Sequence, residues 1–107
     1  MDEQQIRRVL GLVGLGIRGR LAVVGVERVR EAAKQGGVAL AIVASDAALN
    51  SVDKVVPLLK ARNVPILEGI PSARLGGAAG RNATAVIGIV DAQLAKGIRG
   101  IFDADRA

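Results

Sequence analysis

Seven consecutive apolar residues, VALAIVA at positions 38–44, constrain the fold of this chain more than any other stretch. A strand with one wet face alternates apolar and polar side chains, because successive residues point to opposite faces. A run without alternation suits a central strand covered on both faces, as in sheets sandwiched between helices. The residues before it fit that arrangement. RLAVVG reads as a strand ending in a glycine turn, and VERVREAAKQ as a helix over residues 26–35 that Gly36 and Gly37 terminate. Val26, Val29 and Ala33 form the buried side of this helix. Its other side carries Glu27, Arg28, Arg30, Glu31 and Lys34, and its amino end is a natural place to meet an anion.

The same reading extends in both directions. Ile6, Val9, Leu10, Val13 and Ile17 recur at spacings of three and four, which predicts a first helix over residues 3–17. Gly14, Gly16 and Gly19 should weaken and end it, and a strand follows at 21–24. Beyond the central strand, a third helix is predicted over 51–62, with Val52, Val55, Val56 and Leu59 inward. Pro57 lies within it and predicts a kink or a late start. Asn63 closes that helix, and residues 65–67 form a third strand. Pro71 and Ser72 cap a short, Gly-rich helix over 73–79, residues 85–90 form a fourth strand, and Asp91 caps a last helix over 92–101. The final DADRA should fray. Regular alternation of helix and strand argues for one α/β sheet with helices on both faces, in a single domain of 107 residues.

Composition narrows the chemistry. Phe102 is the only aromatic residue, and the chain has no Cys and no His. Disulfides and thiolate metal sites are excluded, and the usual proton shuttles and thiol nucleophiles are missing. No apolar run is long enough to span a bilayer, and MDEQQIRR lacks the order of a signal peptide, so the expected location is cytoplasmic. Fifteen Lys and Arg against ten Asp and Glu give a net charge of +5 and a pI near 10.8. A small basic domain is drawn to polyanions, of which nucleic acid is the commonest in a cell. Lacking aromatic platforms for stacking bases, such a domain would use backbone amides, Arg and Lys on a shaped, structured RNA.

Other patterns read as structure. Gly14, Gly16 and Gly19 spell G-x-G-x-x-G, but the pattern follows a helix and precedes a strand, the reverse of the dinucleotide-binding order. It reads as a helix terminus and close packing. LGGAAG at 75–80 lacks the Gly-Lys-Ser/Thr of a phosphate loop and reads as a small-residue helix packed close to the sheet. Ser45, Ser51, Ser72 and Thr84 have no obvious base, and Asp46 and Asp91 each read as caps of the segment that follows. No enzymatic reading stands, and no cofactor, metal or small-molecule substrate is implied.

GLGIRGRLAVVG (14–25) is similar to the Gly-Leu-Ala-x-Arg-Ala-Gly-Lys-Leu-x-x-Gly opening of bacterial members of the L-seven-A-e/L-thirty-e ribosomal-protein family. The spacing from Gly25 to Ala44-Ser45-Asp46, the NVPIL at 63–67, PSARLGGAAGR at 71–81 and AVIGIVD at 85–91 resemble that family in the same order. The resemblance implies a three-layer α/β/α sandwich with a mixed four-stranded sheet. It also implies binding of structured RNA, ribosomal RNA and kink-turns included, through the amino end of the second helix and the loop before the last strand. On this chain those positions are Gly25, Val26, Glu27, Arg28, Arg30, Glu31 and Lys34, with Arg81, Asn82 and Ala83 from the loop.

The chain departs from the family's RNA binders at the helix start. Where they read Gly-Thr-Asn-Glu-x-x-Lys, it reads Gly25-Val26-Glu27-Arg28-Val29-Arg30-Glu31. The apolar Ile-Glu-Val of archaeal binders becomes Arg81-Asn82-Ala83. The expectation is a small, ribosome-associated RNA-binding protein with weakened kink-turn specificity. The alternative is a protein-interaction module on the same fold that has lost RNA affinity. A clustered basic face favours the first, and an exposed aliphatic patch the second. The sequence leaves the oligomeric state open.

Overall fold

The structure, a computed structural model, describes residues 1–104. Helix and strand alternate as expected: α1 (Glu3–Arg18), β1 (Ala22–Val24), α2 (Val26–Lys34), β2 (Leu40–Val43), α3 (Leu49–Ala61), β3 (Ile66–Leu67), α4 (Ser72–Ala78), β4 (Val86–Ile89) and α5 (Ala92–Ala104). The strands form one mixed four-stranded sheet in the order β1-β4-β2-β3. β4 runs antiparallel to both β1 and β2, and β3 pairs parallel with β2.

The unbroken apolar run is explained by where its side chains go. Leu40 and Ile42 enter one core with Val9 and Val13 of α1, Leu75 of α4 and Ile98 of α5. Ala41 and Val43 point to the opposite face and meet Val29 and Ala33 of α2 and Val55 and Leu59 of α3. Each face of β2 is therefore covered by helices, and every residue of the strand is buried. The result is a three-layer α/β/α sandwich.

Several local expectations need correction. α1 does not weaken at Gly14 and Gly16 but runs through both, and its C-cap is Gly19. Close packing explains Gly16: a Cβ there would come within 2.4 Å of Leu94 Cδ2 on α5. α3 starts at Leu49 and runs through Pro57 rather than starting late. Pro57 is exposed, so the Asp53 carbonyl that it leaves without a donor lies on the wet side of the helix. α5 continues past residue 101 to Ala104, because Ile101 is buried and Phe102 packs on the same core. Asp103 and Ala104 thus belong to the helix, and the rest of DADRA, residues 105–107, lies outside the described residues.

Asp91 caps α5 as expected, its Oδ2 accepting from the Leu94 amide at 2.8 Å. Asp46 does not cap the segment after it. It reaches across to the start of α4, where it accepts from the Ser72 amide at 2.7 Å and the Ser72 hydroxyl at 3.0 Å. The Pro71 cap of α4 makes no side-chain hydrogen bond of its own, so the distant carboxylate supplies the cap. The small residues of α4 serve the loop after it more than the sheet: a Cβ on Gly76 would lie 2.5 Å from Ala83 Cα and 2.6 Å from its nitrogen.

Candidate functional site

Gly25 links β1 to α2 with φ 98° and ψ 158°, a conformation that L side chains rarely adopt. Its amide donates to the Val86 carbonyl at 3.0 Å, and its own carbonyl accepts from Val29. The turn is therefore fixed to β4 on one side and to the first turn of α2 on the other. No side chain caps α2, so its first amides lie open at the helix end.

The loop before β4 arrives at the same place. Gly80 turns the chain with φ 70°, and the Arg81 amide donates to the Gly76 carbonyl at 2.8 Å. The Thr84 amide donates to the Ser72 carbonyl at 3.0 Å, which ties the far end of the loop to α4. Between these ties the Arg81 side chain extends over the glycine turn: Nη1 lies 3.6 Å from where a Cβ on Gly25 would sit. Two segments far apart in sequence, Gly25–Arg28 and Arg81–Ala83, thus form one corner.

Beside this corner runs a groove of about 590 Å³ along the free edge of β1. Half-buried Ile17, Ala22 and Ala79 line it together with exposed Arg20, Arg28 and Arg81. Among the described residues, the side chain of none of these three arginines has a hydrogen-bond or ion-pair partner. Their charge is available to something else.

The other residues singled out in the sequence are placed differently. Val26 is half-buried and packs into the α2–α3 core. Glu27, Asn82 and Ala83 are exposed. Arg30 is turned toward α3, where its Nη1 donates to the Lys54 carbonyl. Glu31 accepts from Gln35 Nε2 at 3.2 Å. Lys34 is the last residue of α2, about 12 Å along the axis from its start. Arg20 was missed. It sits between Gly19 and Leu21 in a stretch read as helix end and strand start, and only the turn of the chain brings it to the groove.

No family model and no curated protein matches the chain. Among solved structures, a protein of unknown function from Bacillus halodurans C is 30% identical with a TM-score of 0.81, over 89% of this chain and 96% of that one. The chain belongs to the same family as that protein. The Giardia lamblia 15.5kD RNA binding protein superposes with a TM-score of 0.77 over 97% of this chain and 92% of its own, at 21% identity. That second likeness is one of fold.

Proposed function

We propose that this protein binds structured RNA, ribosomal RNA included, through the amino end of α2 and the loop before β4, with weak selectivity for kink-turns. The observation that carries this reading is the groove in which Arg28 and Arg81 stand unpaired beside the Gly25 turn. Guanidinium groups there can donate to phosphate oxygens, and the open amides of α2 add to the attraction. The shared fold with an RNA-binding protein from Giardia supports the same reading. The exposed large aliphatic residues do not favour a protein-docking face, since Leu49 begins α3 on one side of the sheet and Leu15 lies on α1, which covers the other.

Weak selectivity follows from three side chains. A kink-turn presents sheared G·A pairs, whose edges the resembled family reads with Asn, Glu and Lys. The carboxylate of Glu27 only accepts, where Asn both donates and accepts. Arg28 offers donors in place of a carboxylate acceptor, and Glu31 opposes a phosphate where a lysine would attract it. Each mismatch costs on the order of 1–3 kcal/mol of discrimination.

The test is a salt series with a kink-turn RNA and a plain duplex of equal length. Wild type should bind both with similar, salt-sensitive affinity. Arg28→Ala and Arg81→Ala should each weaken both and lower the log–log salt slope by about one unit. The combined Glu27→Asn, Arg28→Glu, Glu31→Lys variant should gain kink-turn preference over the duplex at equal salt. Wild type that binds neither RNA, or that already prefers the kink-turn strongly, overturns the proposal.

A further inference from the structure

The backbone at Arg20 is left-handed, with φ 62°. Every other described residue with positive φ is a residue suited to it: Gly25, Gly36, Gly69, Gly80 or Asn63. Arg20 follows the C-cap of α1, where the Arg20 amide donates to the Ile17 carbonyl at 3.2 Å and the Leu21 amide to the Gly16 carbonyl at 2.7 Å. That pair of bonds closes helices most comfortably with glycine in the left-handed place. The turn needs only backbone groups, and a glycine would make it with less strain. The side chain contributes little to the fold either, being exposed and without an ion pair among the described residues. It lines the same groove as Arg28 and Arg81. A strained residue in a binding groove, whose side chain the fold does not use, points to a ligand.

We infer that Arg20 binds a phosphate, and that the RNA track continues from the Gly25 corner along the open edge of β1 to the end of α1. This rests on the RNA reading above and adds a residue from an element that reading does not use. The groove favours a sugar–phosphate backbone over an acidic peptide strand. The Val90 amide, just after β4, donates to the Leu21 carbonyl and the Val86 carbonyl accepts from Gly25, so in the observed register only Ala22 and Val24 turn their backbone groups to the free edge. Two residues are too few to template an added strand. Three guanidinium groups around one groove instead suit successive phosphates of a single chain.

The experiment compares wild type with Arg20→Gly, Arg20→Lys and Arg20→Ala. Arg20→Gly should melt at or above the wild-type temperature, because it relieves the left-handed strain. It should nevertheless bind both kink-turn and duplex RNA more weakly. Wild-type affinity should fall about threefold more than that of Arg20→Gly between 50 and 200 mM salt, as expected when the variant neutralises one phosphate fewer. Arg20→Lys should keep most of the salt slope, and Arg20→Ala should lower it as the glycine variant does. If wild type binds RNA and Arg20→Gly matches it in affinity and slope, the inference fails while the RNA reading stands. A lower melting temperature for Arg20→Gly would give the side chain a structural role and likewise overturn it. Wild type that binds no RNA overturns both readings, and tighter binding to a polyglutamate peptide than to RNA of equal charge would move the groove to an acidic protein partner.

Discussion

α1 ends in two corners that treat charge in opposite ways. At its amino end, Glu3 accepts from both Arg74 Nη1 and Nη2 at 2.8 Å and from Arg7 Nε at 3.0 Å, while Asp46 holds the start of α4 through Ser72. At its carboxyl end, Arg20, Arg28 and Arg81 surround a groove with no partner among the described residues. The first corner joins α1, α4 and the segment after β2. The second is tied by backbone bonds alone, and its three arginine side chains join no elements among the described residues. Exposed arginines are therefore not interchangeable: those with a carboxylate help set helix orientation, and those gathered without one mark where an anion is expected.

The largest expected effect removes what the two corners share. β2 supports both core faces, and Leu40 and Ile42 are fully buried. Leu40→Ala or Ile42→Ala should cost about 2–5 kcal/mol in denaturant unfolding, through reduced burial and the cavity left behind. A loss well under 1 kcal/mol would mean that neither corner depends on the central strand in the way described.

A smaller effect should separate the corners. At Gly76 an added Cβ meets Ala83 backbone, whereas at Gly16 its one contact under 3 Å is the end of the Leu94 side chain, which can turn aside. Gly76→Ala should therefore displace the Arg81–Ala83 loop and cost on the order of 1–3 kcal/mol, more than Gly16→Ala. Amide shifts confined to the loop and the groove, with the Glu3–Arg74 corner unmoved, would support the separation. An unchanged loop would break it.

Much of the fold was legible because its signals are local. The two-sided burial of Leu40–Val43 follows from the apolar run around it, although the strand is shorter than residues 38–44 and leaves Ala39 half-buried, and α1 follows from apolar spacing. What was not legible depends on contacts between distant elements. Gly14 and Gly16 read as helix-weakening as well as close-packed, because nothing in the sequence reveals that the partner at Gly16 is Leu94 of a helix that packs on an unbroken α1. Asp46 read as a local cap because its partner lies 26 residues on. At the site, Gly25, Arg28 and Arg81 were identified and do come together, while Arg30 and Lys34 share only the helix. Arg20 was missed because its left-handed φ has no sequence signature: arginine is not a residue that announces a turn.

The smallest effect tests whether the paired corner is paired in solution. The hydrogen bonds from Arg74, with Arg7 adding to them, hold the Glu3 carboxyl down from an ordinary 4.5 to about 2. The Ser72 amide and hydroxyl likewise hold Asp46 below its ordinary value of 3.8. A carboxylate with a depressed value binds protons less readily folded than unfolded. Its contribution to stability is therefore complete above the ordinary value and fades as pH falls through the folded one. The ions are exposed, so the contribution is small and weakens further in salt. Glu3→Gln should melt slightly below wild type near neutral pH, and the two melting curves should converge as pH falls from about 4.5 to about 2. Arg28→Ala combined with Arg81→Ala should instead melt as wild type does at every pH in that range, since neither guanidinium is held by a carboxylate among the described residues. A pH-dependent gap in the double arginine variant, or a constant one in Glu3→Gln, would mean that solution charges are shared between the corners, and the contrast between a paired and an unpaired end of α1 would fall.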